Sequence, residues 1–268
     1  MSKDRRLYGR ISRRISREGL TEVLYAVLAR FDYPINGFPR YGVDEFTKAV
    51  SREVRDGALV LDAGAGHRPY RSLFDHTRYQ SCDYLPVLEA TGANPGIDHT
   101  FFCDLEDIPK EAGTYDAIIC NQVLEHVKHP GKVIDEFYRI LKPGGKFFLT
   151  APQCSGIHMA PHNYFNFTSY GLKLLFETTG FRVVSIKPLG GIFCLLGKVI
   201  QKGYEAFLAR LRGPLRPLYL PVHILVRSCI FIISFSLFHL DKLDKEKGWT
   251  LNYGCHCEKP LINEASNS

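Results

Sequence analysis

The sequence predicts an α/β fold in which a mostly parallel sheet carries helices on both faces, and three observations support this prediction. From residue 58 onward, short apolar runs typical of buried strands alternate with segments of helical periodicity. A glycine-rich turn directly follows the first of these runs. The composition, 45% hydrophobic and 23% charged, is usual for a folded globular chain and excludes a disordered or fibrous one.

The apolar runs predict seven strands, and most of them are separated by a helix or a long connection. Such alternation favours parallel pairing, because a crossover helix returns the chain to the same edge of the sheet. The strands are predicted at 58–64, 78–84, 98–105, 115–121, 146–152, 181–187 and 249–257. Helices are predicted over about 43–55, 123–141 and 168–179.

The N-terminal arm carries the net charge of the chain. Residues 1–17 hold seven basic residues and one acid, which equals the +6 of the entire sequence, so a uniformly basic nucleic-acid-binding body is disfavoured. Apolar residues at four-residue spacing predict an amphipathic helix over 5–31. The Pro- and Gly-rich stretch 32–42 is predicted to be a loop, and the absence of a continuous apolar run before it disfavours a secretory signal.

An apolar insert, residues 188–248, interrupts the alternation of strands and helices. It holds nine basic and four acidic residues, which leaves the sheet domain with a net charge of −5. Its stretch 218–240 is long enough to span a membrane, but Arg227 near its centre would cost about 2.5–3.5 kcal/mol. The helical spacing predicts a hairpin that lies on a membrane surface or caps a substrate pocket; a buried helical subdomain and a spanning hairpin are the alternatives.

Acidic residues follow three successive predicted strands. Asp62 precedes the turn containing Gly64 and Gly66, Asp83 ends the next strand, and Asp104 ends the one after it. Open α/β sheets bind ligands at the carboxyl ends of their strands, where glycines let a ligand approach the backbone and a carboxylate can accept ribose hydroxyls. The pattern predicts a nucleotide-containing cofactor. A dinucleotide fingerprint GxGxxG is excluded because Pro69 stands where its last glycine would be.

Five stretches resemble the class I S-adenosylmethionine-dependent methyltransferases of the type 11-like branch, which includes ubiquinone-pathway and bacterial glycan-assembly enzymes. They are VLDAGAGHRPY, CDY, CDLEDIP, YDAIICNQVLEHVKHP and ILKPGGKFFLTAP, and the resemblance covers roughly residues 40–187 and 249–260. It implies a Rossmann-like seven-stranded sheet, S-adenosylmethionine as cofactor, and methyl transfer by in-line displacement.

The resemblance also implies which residues hold the cofactor. Asp62, Gly64 and Gly66 would line its methionine part, and Asp83 would hold the ribose. The remaining positions would surround the adenine and the amino-acid end: Tyr84, Asp104 and Leu105 for the former, and Asn121 for the latter. The family pattern DxGxGxG has a third glycine where this chain has Arg68, which puts backbone contacts beyond Gly66 in doubt.

Three residues are the catalytic candidates. His162 and Tyr164 lie in a loop after the fifth strand that resembles an acceptor-side loop of this branch. His162 could take a proton near neutral pH, and Tyr164 could orient the acceptor. His126 follows the fourth strand. The alternative interpretation is that these side chains only hold the loop against the sheet.

No metal is expected. In related ubiquinone-pathway enzymes a Glu-x-x-Glu-His run is associated with a divalent metal, but here the run begins with Gln122 and continues to Glu125 and His126. An amide is a poorer ligand for a hard cation than a carboxylate.

The predicted protein is a methyltransferase acting on a lipid-linked, prenylated or glycan acceptor, with membrane contact through 5–17 and 190–245. Its domains are an arm and loop at 1–42, the cofactor-binding domain at 43–187 and 249–260, the insert at 188–248 and a tail at 261–268. Eight scattered cysteines without CxxC favour a reducing, cytoplasmic location. The basic, apolar arm and insert predict a peripheral position at the inner face of a membrane. The alternatives are a soluble small-metabolite methyltransferase with the insert as a lid, an RNA methyltransferase using the arm, and a catalytically silent cofactor-binding protein.

DNA is disfavoured as a substrate, because the tetrapeptide from Asn121 to Leu124 is not (D/N)PP(Y/F) and no Pro-Cys dipeptide occurs.

Overall fold

The computed structural model describes residues 33–85, 98–208 and 220–261, so the helix predicted over 5–31 lies outside the described residues. The described helices are α1 Tyr33–Ser51, α2 Pro130–Ile140, α3 Ser169–Thr179, α4 Ile192–Leu208 and α5 Leu220–Leu240. The strands are β1 Leu59–Ala63, β2 Arg78–Asp83, β3 Phe101–Phe102, β4 Tyr115–Asn121, β5 Leu141–Pro152, β6 Arg182–Leu189 and β7 Asn252–Glu258.

The seven strands form one sheet in the order β3-β2-β1-β4-β5-β7-β6. The first five strands in sequence pair in parallel, and β7 runs antiparallel between β5 and β6. This arrangement confirms the predicted fold class. It also places the carboxyl ends of the five parallel strands at one edge, where the predicted cofactor residues lie.

The central strands are apolar throughout because both of their faces are buried. Leu61 of β1 and Ile118 of β4 belong to one apolar cluster, while their sequence neighbours Val60 and Ile119 belong to another. Successive side chains of a strand point to opposite faces, so a continuous apolar run is expected wherever helices cover the sheet on both sides.

The loop predicted over 32–42 is wrong, because α1 runs through it from Tyr33 to Ser51. Pro34 lies in the first turn, where an amide hydrogen would have no helical partner anyway. Gly42 is required by packing rather than by a turn: a Cβ on it would lie 2.9 Å from the Cβ of Leu189.

The helix predicted over 123–141 is also wrong in its first part. Leu124–His126 forms a single 3-10 turn, and α2 begins only at Pro130. The residue before a proline is disfavoured in helical conformation, and His129 is accordingly non-helical. Glu125 and His126 are thereby held close to the carboxyl end of β4 instead of being carried away along a helix.

The described residues divide into two compact units. One holds 42–191 with 247–261 and contains the sheet; the other holds 33–41 with Ile192–Glu246 and contains α4 and α5. Among the described residues, one helical segment, Pro221–Leu243, is long and apolar enough to cross a membrane by length and composition.

Candidate functional site

The turn after β1 is built on two glycines with left-handed backbones. Gly64 has φ +70° and Gly66 has φ +53°. A Cβ on Gly64 would lie 2.5 Å from Cγ2 of Val123, whereas a Cβ on Gly66 would meet nothing within 4 Å. Gly64 is therefore needed for packing and conformation, and Gly66 leaves open space beside the turn.

Asp83 connects the end of β2 to this turn. Its Oδ2 accepts a hydrogen bond from the Gly66 amide at 2.7 Å, and its Oδ1 accepts one from the Tyr84 amide at 2.7 Å. Each carboxylate oxygen can accept further hydrogen bonds, so the carboxylate is oriented and still able to receive hydroxyl donors. Tyr84 is exposed beside it.

Asp62 is almost completely buried at the end of β1. Its Oδ2 accepts a hydrogen bond of 2.6 Å from the Tyr79 hydroxyl. Burial raises the pKa of Asp62 to about 6; the Tyr79 hydrogen bond opposes this rise, and the charge of Asp83 adds to it. A cationic group close to Asp62 would favour its ionised form.

Arg68, which stands where the family pattern has its third glycine, has a left-handed backbone. Its φ is +52°, in the left-handed region, and its guanidinium donates to the Asp98 carbonyl at 2.7 Å. The turn therefore keeps its course without the third glycine, at a conformational cost of about 1–2 kcal/mol.

The remaining cofactor candidates occupy the same edge of the sheet. Asp104 lies just after β3 and accepts from the Glu106 amide at 3.0 Å, and Leu105 is buried next to it. Asn121 ends β4 and accepts from the Thr150 hydroxyl at 3.0 Å, while its buried Nδ2 has no hydrogen-bond partner within the described part of the chain. This orphaned donor, the open space at Gly66 and the spare acceptors of Asp83 fit a ligand with hydroxyl and carboxylate groups.

A second group of side chains surrounds Glu125. Its side chain is 0% exposed, and neither carboxylate oxygen has a hydrogen-bond partner among the described residues. His126 Nε2 lies 3.7 Å from Oε1 of Glu125, and His158 Nε2 lies 3.9 Å from it. Burial raises the pKa of Glu125 to about 7, so roughly half of these carboxyls carry a proton at pH 7.

Both imidazoles turn Nε2 towards this carboxyl. His126 Nδ1 lies 2.5 Å from the His162 carbonyl, and His158 Nδ1 lies 3.0 Å from the Gly156 carbonyl. A carbonyl only accepts, so Nδ1 carries the hydrogen in each neutral ring and Nε2 is the basic atom. Burial lowers the pKa of His126, which keeps that ring neutral.

The catalytic candidates meet in the loop after β5. His162 Nδ1 lies 3.3 Å from the Tyr164 hydroxyl, and the His162 carbonyl contacts His126 as described. The Glu125 carbonyl accepts from the amides of Tyr164 and Phe165 at 2.8 and 3.3 Å. The structure thus brings together His126, His162 and Tyr164, with the loop held on the backbone of Glu125.

Sequence reasoning did not select Glu125, His158 or Tyr79 as site residues. Glu125 and His158 meet across 33 positions of sequence, which no local pattern shows; the adjacent acid and histidine after β4 were the only signal. One ligand atom from each of Glu125, His126 and His158 lies within 4.8 Å of the others, so these residues could hold a divalent cation.

Comparison with known proteins places the sheet domain in a family. Residues 37–186 match a family model described as a methyltransferase domain. A ubiquinone biosynthesis O-methyltransferase of Xanthomonas oryzae pv. oryzae is 34% identical over 102 residues, which cover 35% of this chain and 43% of the relative. The corresponding protein of Xanthomonas axonopodis pv. citri is 47% identical over 102 residues, with the same coverage. The chain thus spans less than half the length of these curated relatives.

A similar solved structure is the 1,6-didemethyltoxoflavin-N1-methyltransferase of Burkholderia thailandensis. It has 16% sequence identity and a TM-score of 0.47, and the match covers 88% of this chain and 89% of that one.

Proposed function

Because this chain belongs to the methyltransferase domain family, we propose that it transfers a methyl group from S-adenosylmethionine to an acceptor at a membrane surface. The family match confirms the predicted methyltransferase family. The methyl transfer itself, the cofactor, the acceptor, the membrane contact and the individual residue roles are the proposal.

The observation that carries the proposal is the oriented carboxylate of Asp83 beside the open turn at Gly66. Asp83 would hold the ribose hydroxyls, and Gly66 would leave room for the rest of the ligand. Asp62 would face the amino group of the cofactor's methionine part, and the side-chain amide of Asn121, which has no partner among the described residues, would donate to its carboxylate. Tyr84, Asp104 and Leu105 would surround the adenine. When bound, the cofactor supplies a methyl group on a sulfonium, which a nucleophile can attack in line.

The loop after β5, which contains His158 and His162, would receive the proton that the acceptor loses. His162 and Tyr164, close to each other in the loop, are proposed to receive the proton and to orient the acceptor. His126 is 12% exposed at its side chain and anchors the His162 carbonyl, so it acts as a positioning residue. His158 is 41% exposed, and its Nε2 lies 3.9 Å from Oε1 of Glu125.

The acceptor is proposed to be apolar over part of its length, as a lipid-linked or prenylated molecule or a lipid-carried glycan is. Four large apolar side chains are exposed in the loop after β5, which is unusual within a single short segment of a globular domain. They are Ile157, Met159, Tyr164 and Phe165. A lipid extract should then contain a species that gains the mass of one methylene only when this protein is present.

Calorimetric titration with S-adenosylmethionine tests the cofactor site. We expect Asp83→Asn to weaken binding about 10- to 100-fold, because hydrogen bonds to a charged group contribute about 1.5–3 kcal/mol. Asp75→Asn is the matched control, since Asp75 is an exposed aspartate paired with Arg71. Equal affinity of the Asp83 variant and the parent would reject the assignment, provided that both unfold at the same temperature.

A further inference from the structure

The pair of helices α4 and α5 has a polar interior. Gln201 Nε2 of α4 lies 3.4 Å from the Ser234 hydroxyl of α5, and the Tyr204 hydroxyl lies 2.6 Å from Nδ1 of His223. Gln201, His223 and Ser234 are buried although they are polar. The residues of α5 that face α4 therefore include the ones that prefer water.

The outer surface of the pair is apolar. Val199 and Phe207 of α4 are exposed, and so are Val222, Leu225 and Ile232 of α5. Over the apolar window of Pro221–Leu243 only 17% is buried, so the described residues do not enclose α5 as they would a core helix. This distribution is the reverse of that on a surface helix in water, which turns its apolar stripe inward.

The hairpin is closed at its base by helix capping from the turn after α5. Asp244 accepts from the Ile192 amide at 2.9 Å, and Asp241 accepts from the Cys194 amide at 3.2 Å. These carboxylates satisfy first-turn amides of α4 and interact favourably with its N-terminal dipole. The two helices are thus tied together at their base by hydrogen bonds of their own.

A lipid leaflet is the partner that fits this surface. The insert is apolar outside and carries a net +5, which is complementary to anionic headgroups and opposes association of two positively charged copies. We propose that α4 and α5 lie in the headgroup and acyl boundary of an anionic membrane, with their polar contacts turned towards each other and their outer side chains in lipid. This inference specifies the membrane surface named in the proposed function, and it holds whether or not a methyl group is transferred.

The sheet topology favours an in-plane position over a crossing. β6 before the insert and β7 after it pair with each other in one sheet, so the insert must begin and end on the same side of a membrane. A single crossing by α5 is impossible. A second crossing by α4 is disfavoured because its 17 residues include Lys198, Lys202 and Glu205.

Vesicle flotation with the full chain tests the proposal. We expect the protein to float with vesicles of phosphatidylglycerol and phosphatidylcholine, and Leu225→Glu combined with Ile232→Glu to lower the bound fraction at least about tenfold, because charged residues partition poorly into apolar lipid. Leu174→Glu is the matched control: Leu174 is also a helical leucine, 67% exposed against 65% for Leu225, but it lies on α3 of the sheet unit. The control variant should float like the parent.

Three results would overturn the inference. If the double variant floated as well as the parent, the outer face of α5 would be excluded as the membrane-binding surface. Failure of the parent to float, with a concentration-dependent dimer in sedimentation that the double variant loses, would make a second copy the partner. Retention in the membrane after alkaline carbonate extraction would indicate spanning helices. Calorimetric binding of S-adenosylmethionine in every variant keeps these outcomes separate from failure of the methyltransferase assignment.

Discussion

At the scale of single residues, Glu125 is stabilised in its protonated form. Its pKa is raised from 4.5 to about 7, so its favourable contribution to folding is complete below its unfolded pKa and is lost as pH rises through about 7. We expect Glu125→Gln, which keeps the shape and removes the charge, to raise the free energy of unfolding by about 2–3 kcal/mol near pH 8. Urea unfolding should show this gain shrinking as pH falls below 7.

Glu136→Gln is the control, because its effect on the free energy of unfolding should have the opposite sign. The hydrogen bond from Arg139 lowers the pKa of Glu136, so its contribution is present above its unfolded pKa and is lost on acidification. This variant should be less stable than the parent near pH 8. If both substitutions destabilised the protein equally, the buried Glu125 would be ionised and paired in solution.

The same carboxyl bears on metal binding. A proton on Glu125, whose pKa is about 7, competes with any cation among Glu125, His126 and His158. We expect neither a chelator nor added Mg²⁺ or Zn²⁺ to move the thermal unfolding midpoint, as the sequence prediction of no metal requires. This expectation would be contradicted if Zn²⁺ raised the unfolding midpoint of the parent and of His129→Asn but not that of His158→Asn.

At the scale of elements, two glycines on either side of β1 separate the cost of backbone strain from the cost of a steric clash. Gly57 and Gly64 both have positive φ, +72° and +70°, but a Cβ on Gly57 would meet nothing within 4 Å. We expect Gly57→Ala to cost about 1–2 kcal/mol in unfolding free energy, and Gly64→Ala about 2–5 kcal/mol because its methyl group would also collide with Val123. Similar losses would mean that Val123 moves aside without penalty.

Elements were predictable from sequence where one local pattern dominates. The runs at 58–64 and 115–121 are apolar because both faces of the sheet are covered, and they became β1 and β4. The prediction for 32–42 was wrong because its two glycines and two prolines suit a turn equally well, and only the contact with the distant Leu189 shows that Gly42 is required by packing. The Glu125–His158 pair was missed for the same reason: its members approach only after the loop folds back onto the backbone of Glu125.

At the scale of the whole molecule, charge is divided between parts with different roles. The arm carries +6, the insert +5 and the sheet domain −5, so the acidic residues proposed to bind the cofactor lie in the part of the chain that does not attract polyanions. Basic segments could serve either an anionic membrane or RNA. The two partners differ in how much binding remains when salt screens the charges.

Salt separates these two partners. Raising NaCl from about 0.05 M to about 0.5 M should abolish binding driven by phosphate contacts alone, because each such contact releases counterions. Binding of α4 and α5 to anionic vesicles should weaken but persist, since contacts of apolar side chains such as Leu225 and Ile232 with lipid are not screened. The measurement is flotation and RNA filter binding of the same protein across that range. Complete loss of vesicle binding together with salt-resistant RNA binding would instead favour an RNA acceptor reached through the basic arm.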